Sequence, residues 1–309
     1  MFSFVRRRMY TSALPLVIVL LGVFLLARLT GDPTNLYLPE SATEAQRQAF
    51  AEKNGFDQPM LTQLVDYFKG VLHLDFGTSL RTGESASEMA FRAFPATLQL
   101  ALTTMLLAIV GAIVIGCWAA YRPNSLADRF SSLLSMTAAS IPDFWFAITG
   151  VWLFAVLLGV LPTSGTDSGM LSWILPIATL MIRPLGVLTQ VVRGAMVSAL
   201  SAPYVRLARS KGASDLRVVT HHALRNAAAP ALTVAGDLAV GLINGAVVVE
   251  AIFGWPGIGK LMIDAILQRD FAVLQAAVLL TAVSIFVLNI IIDACYALLD
   301  ARVREPARV

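Results

Sequence analysis

The sequence predicts an all-α membrane protein with six transmembrane helices and both termini in the cytoplasm. Three observations carry that expectation. The 309 residues are 57% apolar and only 14% charged, whereas a soluble domain carries about 25% charged residues. Several apolar runs reach the roughly 20 residues needed to cross hydrocarbon. The two chain ends and the short segments between alternate runs together hold most of the Lys and Arg, as cytoplasmic segments do. Residues 1–309 are expected to form a single transmembrane domain. The net charge is only +3, and the bases follow topology, so no nucleic-acid partner is implied. Cys117 and Cys295 both fall inside expected spans, where they read as small buried hydrophobes rather than a disulfide or a metal site.

Each element can be justified in order. Arg6-Arg7-Arg8 precedes an apolar run at 9–29. The run is long for a signal peptide and no small-x-small cleavage site follows it, so it is read as an uncleaved first span entering from the cytoplasm. An external loop, 30–93, contains a short surface helix at 43–53 and an amphipathic one at 61–72. In the latter, Leu61, Leu64, Val65 and Phe68 recur at helical spacing. The second span, 97–120, carries Gly111 and Gly116, which allow a neighbouring helix to approach closely. The third, 134–160, is interrupted near its start by Ile141-Pro142-Asp143. Lipid cannot satisfy the backbone groups a proline frees, so this break should be packed in protein or line a wet cavity. The fourth span, 172–192, contains Pro176, Arg183 and Pro184, and the fifth, 231–252, contains Asp237 and Asn244. An external segment, 253–271, leads to the sixth span, 273–299, and a short basic tail.

Between the fourth and fifth spans lies a basic, polar island at 201–230. Pro203 suits the first turn of a helix, where its missing N–H would have no partner anyway. On that helix Tyr204, Leu207, Ala208 and Lys211 are expected on one face, with Arg206 and Arg209 on another. Gly212 can take the left-handed conformation that ends a helix, and Ser214 or Asp215 can cap a second one running through Leu224. The run Tyr204-Val-Arg-Leu-Ala-Arg-Ser-Lys-Gly212, followed by His222-Ala-Leu-Arg-Asn226, resembles the cytoplasmic coupling loop of ABC-importer permeases of the dipeptide, oligopeptide and nickel type. The wider superfamily reads Glu-Ala-Ala, three residues, Gly, and later Ile-x-Leu-Pro. Here Arg206-Leu207-Ala208 stands at the triplet, Gly212 matches, and Leu224-Arg225 replaces the Leu-Pro, a departure usual for the peptide branch. Gly31-Asp-Pro33, Asp57-Gln-Pro59, Leu74-Asp-Phe-Gly77 and Phe253-Gly-Trp-Pro-Gly-Ile-Gly259 extend the resemblance over nearly the whole chain.

That resemblance implies a subunit forming half of a translocation pathway in the bacterial inner membrane. Its implied partners are a second homologous permease, two ABC ATPases and an extracytoplasmic binding protein that sets most of the specificity. Di- or oligopeptides are the implied cargo; nickel or a metal–chelator complex is the alternative. This chain would bind no cofactor and perform no catalysis, ATP and magnesium sitting on the partner ATPases. In the coupling contact Tyr204, Leu207 and Ala208 would supply the packed face, beside Lys211 and Gly212. Arg206 and Arg209 would either pair with ATPase acids or serve as positive-inside and headgroup charges.

Other constellations are weighed on their residues. Gly254-Trp-Pro-Gly-Ile-Gly259-Lys260 spells a phosphate loop, but Leu261 replaces the required Ser or Thr, and no strand precedes it. Phe253, Trp255, Pro256 and Gly257 fit a rigid turn shaping an external gate or a docking surface for the binding protein. Arg183 and Asp237 each place a charge inside a span, at a cost of at least ~2.5–3.5 kcal/mol. Their expected depths differ by roughly 5 Å, so they either pair structurally or line the aqueous path with Asn244. Asp143, beside the Pro142 break, is assigned to the cytoplasmic gate of the same path. Gln190 is read as a helix–helix hydrogen bond, and His73, His221 and His222 as surface residues without a third metal ligand. An ion-coupled secondary transporter is the alternative class, with Asp237 its one firm in-span acid.

Overall fold

The computed structural model describes residues 14–15, 17–26, 38, 41–79 and 81–299. The N-terminal arginines, both ends of the expected first span, Gly31-Asp-Pro33 and the basic tail lie outside the described residues. The described residues are mostly helical and contain no strand beyond an isolated antiparallel bridge between Thr78 and Ser85. Among the described residues four helices are long and apolar enough to cross a membrane, or up to five spans if a bent pair counts as one. The chain divides into two compact units, 1–95 with 257–286 and 96–256 with 287–309.

In the first unit, α1 (Val17–Leu26) is apolar, and its Phe24 stacks on Tyr67 with ring centroids 5.3 Å apart. Tyr67 belongs to α3 (Met60–Leu72). Before it comes α2 (Glu44–Asn54), which starts where its sequence requires: the Thr43 hydroxyl accepts from Gln46 N–H while the Gln46 side chain accepts from Thr43 N–H. Gly55, at φ 69°, ends it. After α3 the His73 ring nitrogen Nδ1 meets the Lys69 carbonyl at 2.8 Å, the local contact of a loop histidine. The helices α10 (Ile258–Leu267) and α11 (Phe271–Leu299) follow a tight turn. Ala265, Val273 and Ala276 there pack with Ala86 and Ala90 at the start of α4 (Ala86–Tyr121). Ser79 and Asp270 are buried and hydrogen-bonded to each other.

The second unit is built around α7 (Leu171–Leu200), which runs unbroken over Pro176 and Pro184. Glycines let its neighbours close on it. A Cβ on Gly116 of α4 would stand 2.8 Å from Val192 Cγ1 and 3.1 Å from the Thr189 carbonyl oxygen, and one on Gly111 would stand 2.9 Å from Leu185 Cδ1. The close helix approach expected of those two glycines is therefore made, and made against α7. From α7 itself, a Cβ on Gly186 would come within 2.9 Å of the Ser135 carbonyl oxygen on α5 (Leu126–Ser140).

The interruption expected in the third span is a sharp corner. The helical segments 128–138 and 143–157 meet at 101° across Ile141-Pro142, and α6 (Asp143–Leu157) turns π-helical from Val151. The polar island folds as α8 (Pro203–Ser210), a left-handed Gly212 at φ 80°, and then α9 (Asp215–Phe253). Two expectations are corrected here. Ser214 takes the N-cap position, but its side chain makes no capping hydrogen bond. Nor does the helix after it stop at Leu224: it passes through a π-helical stretch at Val218–Ala223 and over Pro230 into the expected fifth span. A proline removes one rung and clashes with one carbonyl, which a 39-residue helix packed on both sides of it absorbs.

Candidate functional site

Residues 201–217 form an elbow on the second unit. Pro203 occupies the first turn of α8, as the chemistry of its missing N–H favours. At the other end Gly212 N–H donates to Arg209 O at 3.0 Å and Ala213 N–H to Ala208 O at 3.1 Å, so the left-handed glycine satisfies the last carbonyls. The inward face of α8 is Val205 and Ala208, both buried and packed toward the 218–223 stretch with Val218. Ala208 therefore turns into the chain's own body, correcting its assignment to an outward face. Tyr204 and Leu207 remain outward, 41% and 56% exposed, with Leu216 beyond them at 75%. Arg206, Lys211 and Arg217 are exposed around them. Arg209 reaches Asp215 at 3.8 Å within the elbow; both are well exposed, so the pair contributes little. The result is an apolar patch ringed by cations on an otherwise polar turn.

A second feature is a polar face spread over two helices. On α7 the exposed positions Arg183, Gln190, Gly194 and Ser198 lie one or two helical turns apart, in one row. On α9 Thr233, Asp237, Gly241 and Asn244 do the same. The buried residues of both helices lie on their other faces. Arg183 and Asp237 form no ion pair with each other, because both turn away from the packing rather than toward a shared contact. Asp143 stands at the corner where α6 begins. Its Oδ2 lies 3.5 Å from the place a Cβ on Gly245 of α9 would take. Asp143 is thus grouped with Gly245 of α9 at the corner.

The turn after α9 is a packed corner. Phe253 and Trp255 are 3% and 2% exposed, in the core of the second unit. Trp255 Nε1–H donates to the Ala96 carbonyl at 3.1 Å, and its ring meets Trp173 edge-to-face at 4.6 Å. Gly165 N–H donates to Phe253 O at 2.8 Å, tying the 158–170 loop to the same corner. A docking surface made of Phe253 and Trp255 is excluded by that burial; Pro256 alone of the four stays exposed, Gly257 being buried. Lys260 pairs with Asp264 one turn along α10, and the helix already begins at Ile258, before the Gly-Lys of the false phosphate loop.

Three groupings were missed. Glu250 is fully buried in α9, one turn before Phe253; an acid inside Val-Val-Val-Glu-Ala-Ile was the available signal, and Asp237 is not the one in-span acid. Asp128, 3% exposed at the start of α5, takes both Nε and Nη2 of Arg193 from the last turns of α7. Ser131 and Thr189, each one turn further in along α5 and α7, have buried hydroxyls without a hydrogen-bond partner. Among the described residues no three His, Cys, Asp or Glu side chains gather to hold a metal ion.

The chain matches the family model described as "Binding-protein-dependent transport system inner membrane component" over residues 112–305. It is 35% identical to the oligopeptide transport system permease protein AppB of Bacillus subtilis, over 97% of this chain and 98% of that one. It is 37% identical to the glutathione transport system permease protein GsiC of Salmonella typhimurium, covering 98% and 99%. It is also 37% identical to the di/tripeptide transport system permease protein DppB of Pseudomonas aeruginosa, covering 99% of each. In fold it resembles a chain of the MetNI methionine ABC transporter in inward-facing conformations, at TM-score 0.57 and 16% identity, over 69% of this chain and 96% of that one. A chain of an amino acid ABC transporter crystallised with histidines gives 0.53 at 14% identity, over 70% and 94%.

Proposed function

This chain belongs to the family of binding-protein-dependent transport system inner membrane components, and we propose that it is one half of the membrane pathway of an ATP-driven peptide importer. Its spans number six, both termini are cytoplasmic, and it lies in a bacterial inner membrane. A second, related permease completes the pathway, two ATPase subunits bind ATP and magnesium, and an extracytoplasmic protein delivers the cargo. Peptides are the cargo class because the relatives compared carry oligopeptide, di/tripeptide and glutathione in their names.

The observation that supports this reading best is the elbow. Tyr204, Leu207 and Leu216 leave an apolar patch uncovered among Arg206, Lys211 and Arg217. An exposed apolar patch with a charged rim fits a groove on another protein. A motor subunit holding that patch can move α8, and α7 is joined to α8 by only Ser201 and Ala202. Import is then mechanical: closure of the ATPases on ATP moves the elbow, and the spans reorient around the cargo. The polar rows on α7 and α9 line the path, opposite signs at Arg183 and Asp237 suiting the two charged ends of a peptide. Asn244 adds a neutral contact, and Asp143 sits at the corner that moves. The external corner around Trp255 holds α9 and the 158–170 loop together while this happens.

The test is reconstitution of this chain with the permease, ATPase and binding-protein subunits encoded beside it. Leu207→Cys should cross-link to the ATPase, and labelled di- and tripeptides should accumulate only with ATP and binding protein. A chain that purifies alone and transports on an ion gradient, or an elbow labelled from the outside of intact cells, would overturn the proposal.

A further inference from the structure

We propose that the Asp128–Arg193 ion pair is a positioning contact that carries movement of the elbow to the corner at Ile141-Pro142. The inference rests on the transport reading above and names two residues that nothing in the sequence motif assigns a role. Arg193 lies in the last two turns of α7, and Ser201 and Ala202 are all that separates α7 from α8. Whatever displaces α8 therefore displaces Arg193. Asp128 lies in the first turn of α5, whose other end is the 101° corner and Asp143. Whatever displaces Asp128 therefore displaces the corner.

The contact between them is made to be stiff. Asp128 is 4% exposed at its side chain and accepts Arg193 Nε on Oδ1 and Nη2 on Oδ2, the latter at 2.8 Å. This is the bidentate fork that fixes direction as well as distance. Oδ2 also accepts Asn124 N–H at 2.8 Å, and the Ser125 hydroxyl accepts Asp128 N–H at 3.2 Å. Asn124 holds φ 64° in this turn, so the carboxylate is locked to its own backbone before it meets the arginine.

Beyond that fork the same two helices meet closely at Gly186, where an added Cβ would stand 2.9 Å from the Ser135 carbonyl oxygen, but space is left unfilled beside that contact. A cavity of about 240 Å³ opens between them, lined by Ser131, Ser135, Ile182, Leu185, Gly186 and Thr189 among others. The Ser131 and Thr189 hydroxyls are buried in its walls without hydrogen-bond partners. With the fork at one end, the Gly186 contact as a fulcrum and unfilled space beside it, α5 can pivot against α7 instead of sliding with it. The Gly186 contact sets how near the two helices lie, and the fork adds a fixed direction to that contact.

The experiment uses the assembled transporter in proteoliposomes, with three readouts: ATPase subunits retained, ATP hydrolysed, and peptide taken up per ATP. Asp128→Asn and Arg193→Gln should keep the ATPases bound and hydrolysing while uptake per ATP falls at least tenfold. Arg193→Lys, which keeps the charge but not the fork, should fall between them and the wild type. The exchange Asp128→Arg with Arg193→Asp should recover at least a third of the lost coupling. A purely structural pair would instead lower uptake and assembled complex in proportion, leaving uptake per ATP unchanged, and that result overturns the proposal. So does wild-type coupling in either single variant, or no recovery in the exchange. A wild-type chain that retains no ATPase sinks the transport reading and this inference together, an outcome separate from failure of the variants alone.

Discussion

Two chemically identical substitutions on one helix should move stability in opposite directions. Gly186 and Gly194 both lie in α7, two turns apart. An alanine Cβ at 186 would stand 2.9 Å from the Ser135 carbonyl oxygen, 3.1 Å from Ala138 Cβ and 3.4 Å from Ser135 Cα. Two of those obstacles are backbone and the third is a Cβ, so no rotamer change relieves them. Ordinary contact begins at 3.4 Å, and α5 must retreat by about half an ångström. Overpacking of this kind costs roughly 1–3 kcal/mol, while replacing a helical glycine by alanine returns up to about 1 kcal/mol. Gly186→Ala should therefore be destabilising by about 1 kcal/mol. A Cβ at Gly194 meets nothing within 4 Å, so Gly194→Ala keeps the propensity gain and should be stabilising by about 1 kcal/mol. The assay is thermal unfolding of the purified variants in detergent at one scan rate. A separation of about 2 kcal/mol corresponds to roughly 4–8 °C between the two midpoints. Equal midpoints, or Gly186→Ala above Gly194→Ala, would refute the packing of α5 on α7. If Gly194→Ala is benign in the lone chain and harmful only in the full assembly, its row faces the second permease.

Burial pushes the Tyr67 phenol up to about 12 from 10.0, so the fold holds the neutral form. The stability it contributes is complete below pH 10 and is lost as pH rises from about 10 to about 12. Ultraviolet titration should show one late tyrosinate that Tyr67→Phe deletes, and because the hydroxyl has no hydrogen-bond partner that variant should stay within about 0.5 kcal/mol of wild type at neutral pH. Trp255→Phe removes the bond to Ala96 and the pairing with Trp173, so thermal unfolding should register a loss of about 1–3 kcal/mol. Gly212→Ala forces a Cβ onto φ 80° and should cost roughly 1 kcal/mol in the elbow, read as about fivefold weaker ATPase binding. Gly212→Asn should be milder, because asparagine visits that region more readily.

What the sequence revealed and what it withheld divide along one physical line. Features decided within a few residues were readable: Thr43 and Gln46 closing a capping box, Pro203 starting α8, Gly212 ending it, and Pro142 breaking a helix. Which side of a helix the body of the protein covers was not. Periodicity placed Ala208 beside Leu207 and Tyr204, but burial turned it inward with Val205. The same uncertainty of rotation hid the Arg183 environment: matched depth and opposite charge suggested Asp237, while rotation about α7 and α9 places both in exposed rows. Asp128 and Arg193 are 65 positions apart, and no local rule connects them. The π-helical stretches at Val151–Leu157 and Val218–Ala223 are equally silent, since one widened turn leaves the hydropathy of a run unchanged.

The sequence drew attention to the elbow, yet the helix that gives the elbow anything to act on is α7. One face of α7 is core, where Leu175, Leu180 and Leu188 pack among residues of α4, α6 and α9. Another is the polar row from Arg183 to Ser198, which this chain leaves uncovered. Its last turns carry Arg193, and two residues later than its end α8 begins. A helix with a single apolar stripe could serve only one of these roles. Glycine at 111, 116 and 186, on α7 or against it, lets backbones meet where large side chains would have held them apart. That close approach frees the remaining circumference of α7 for the polar row and the arginine fork. In the proposed importer, movement received at α8 would pass through α7 to the pathway lining and, by way of Asp128, to the corner at Pro142. On that proposal, the order of these features along 183–203 is what would turn a push on the elbow into a change in the pathway.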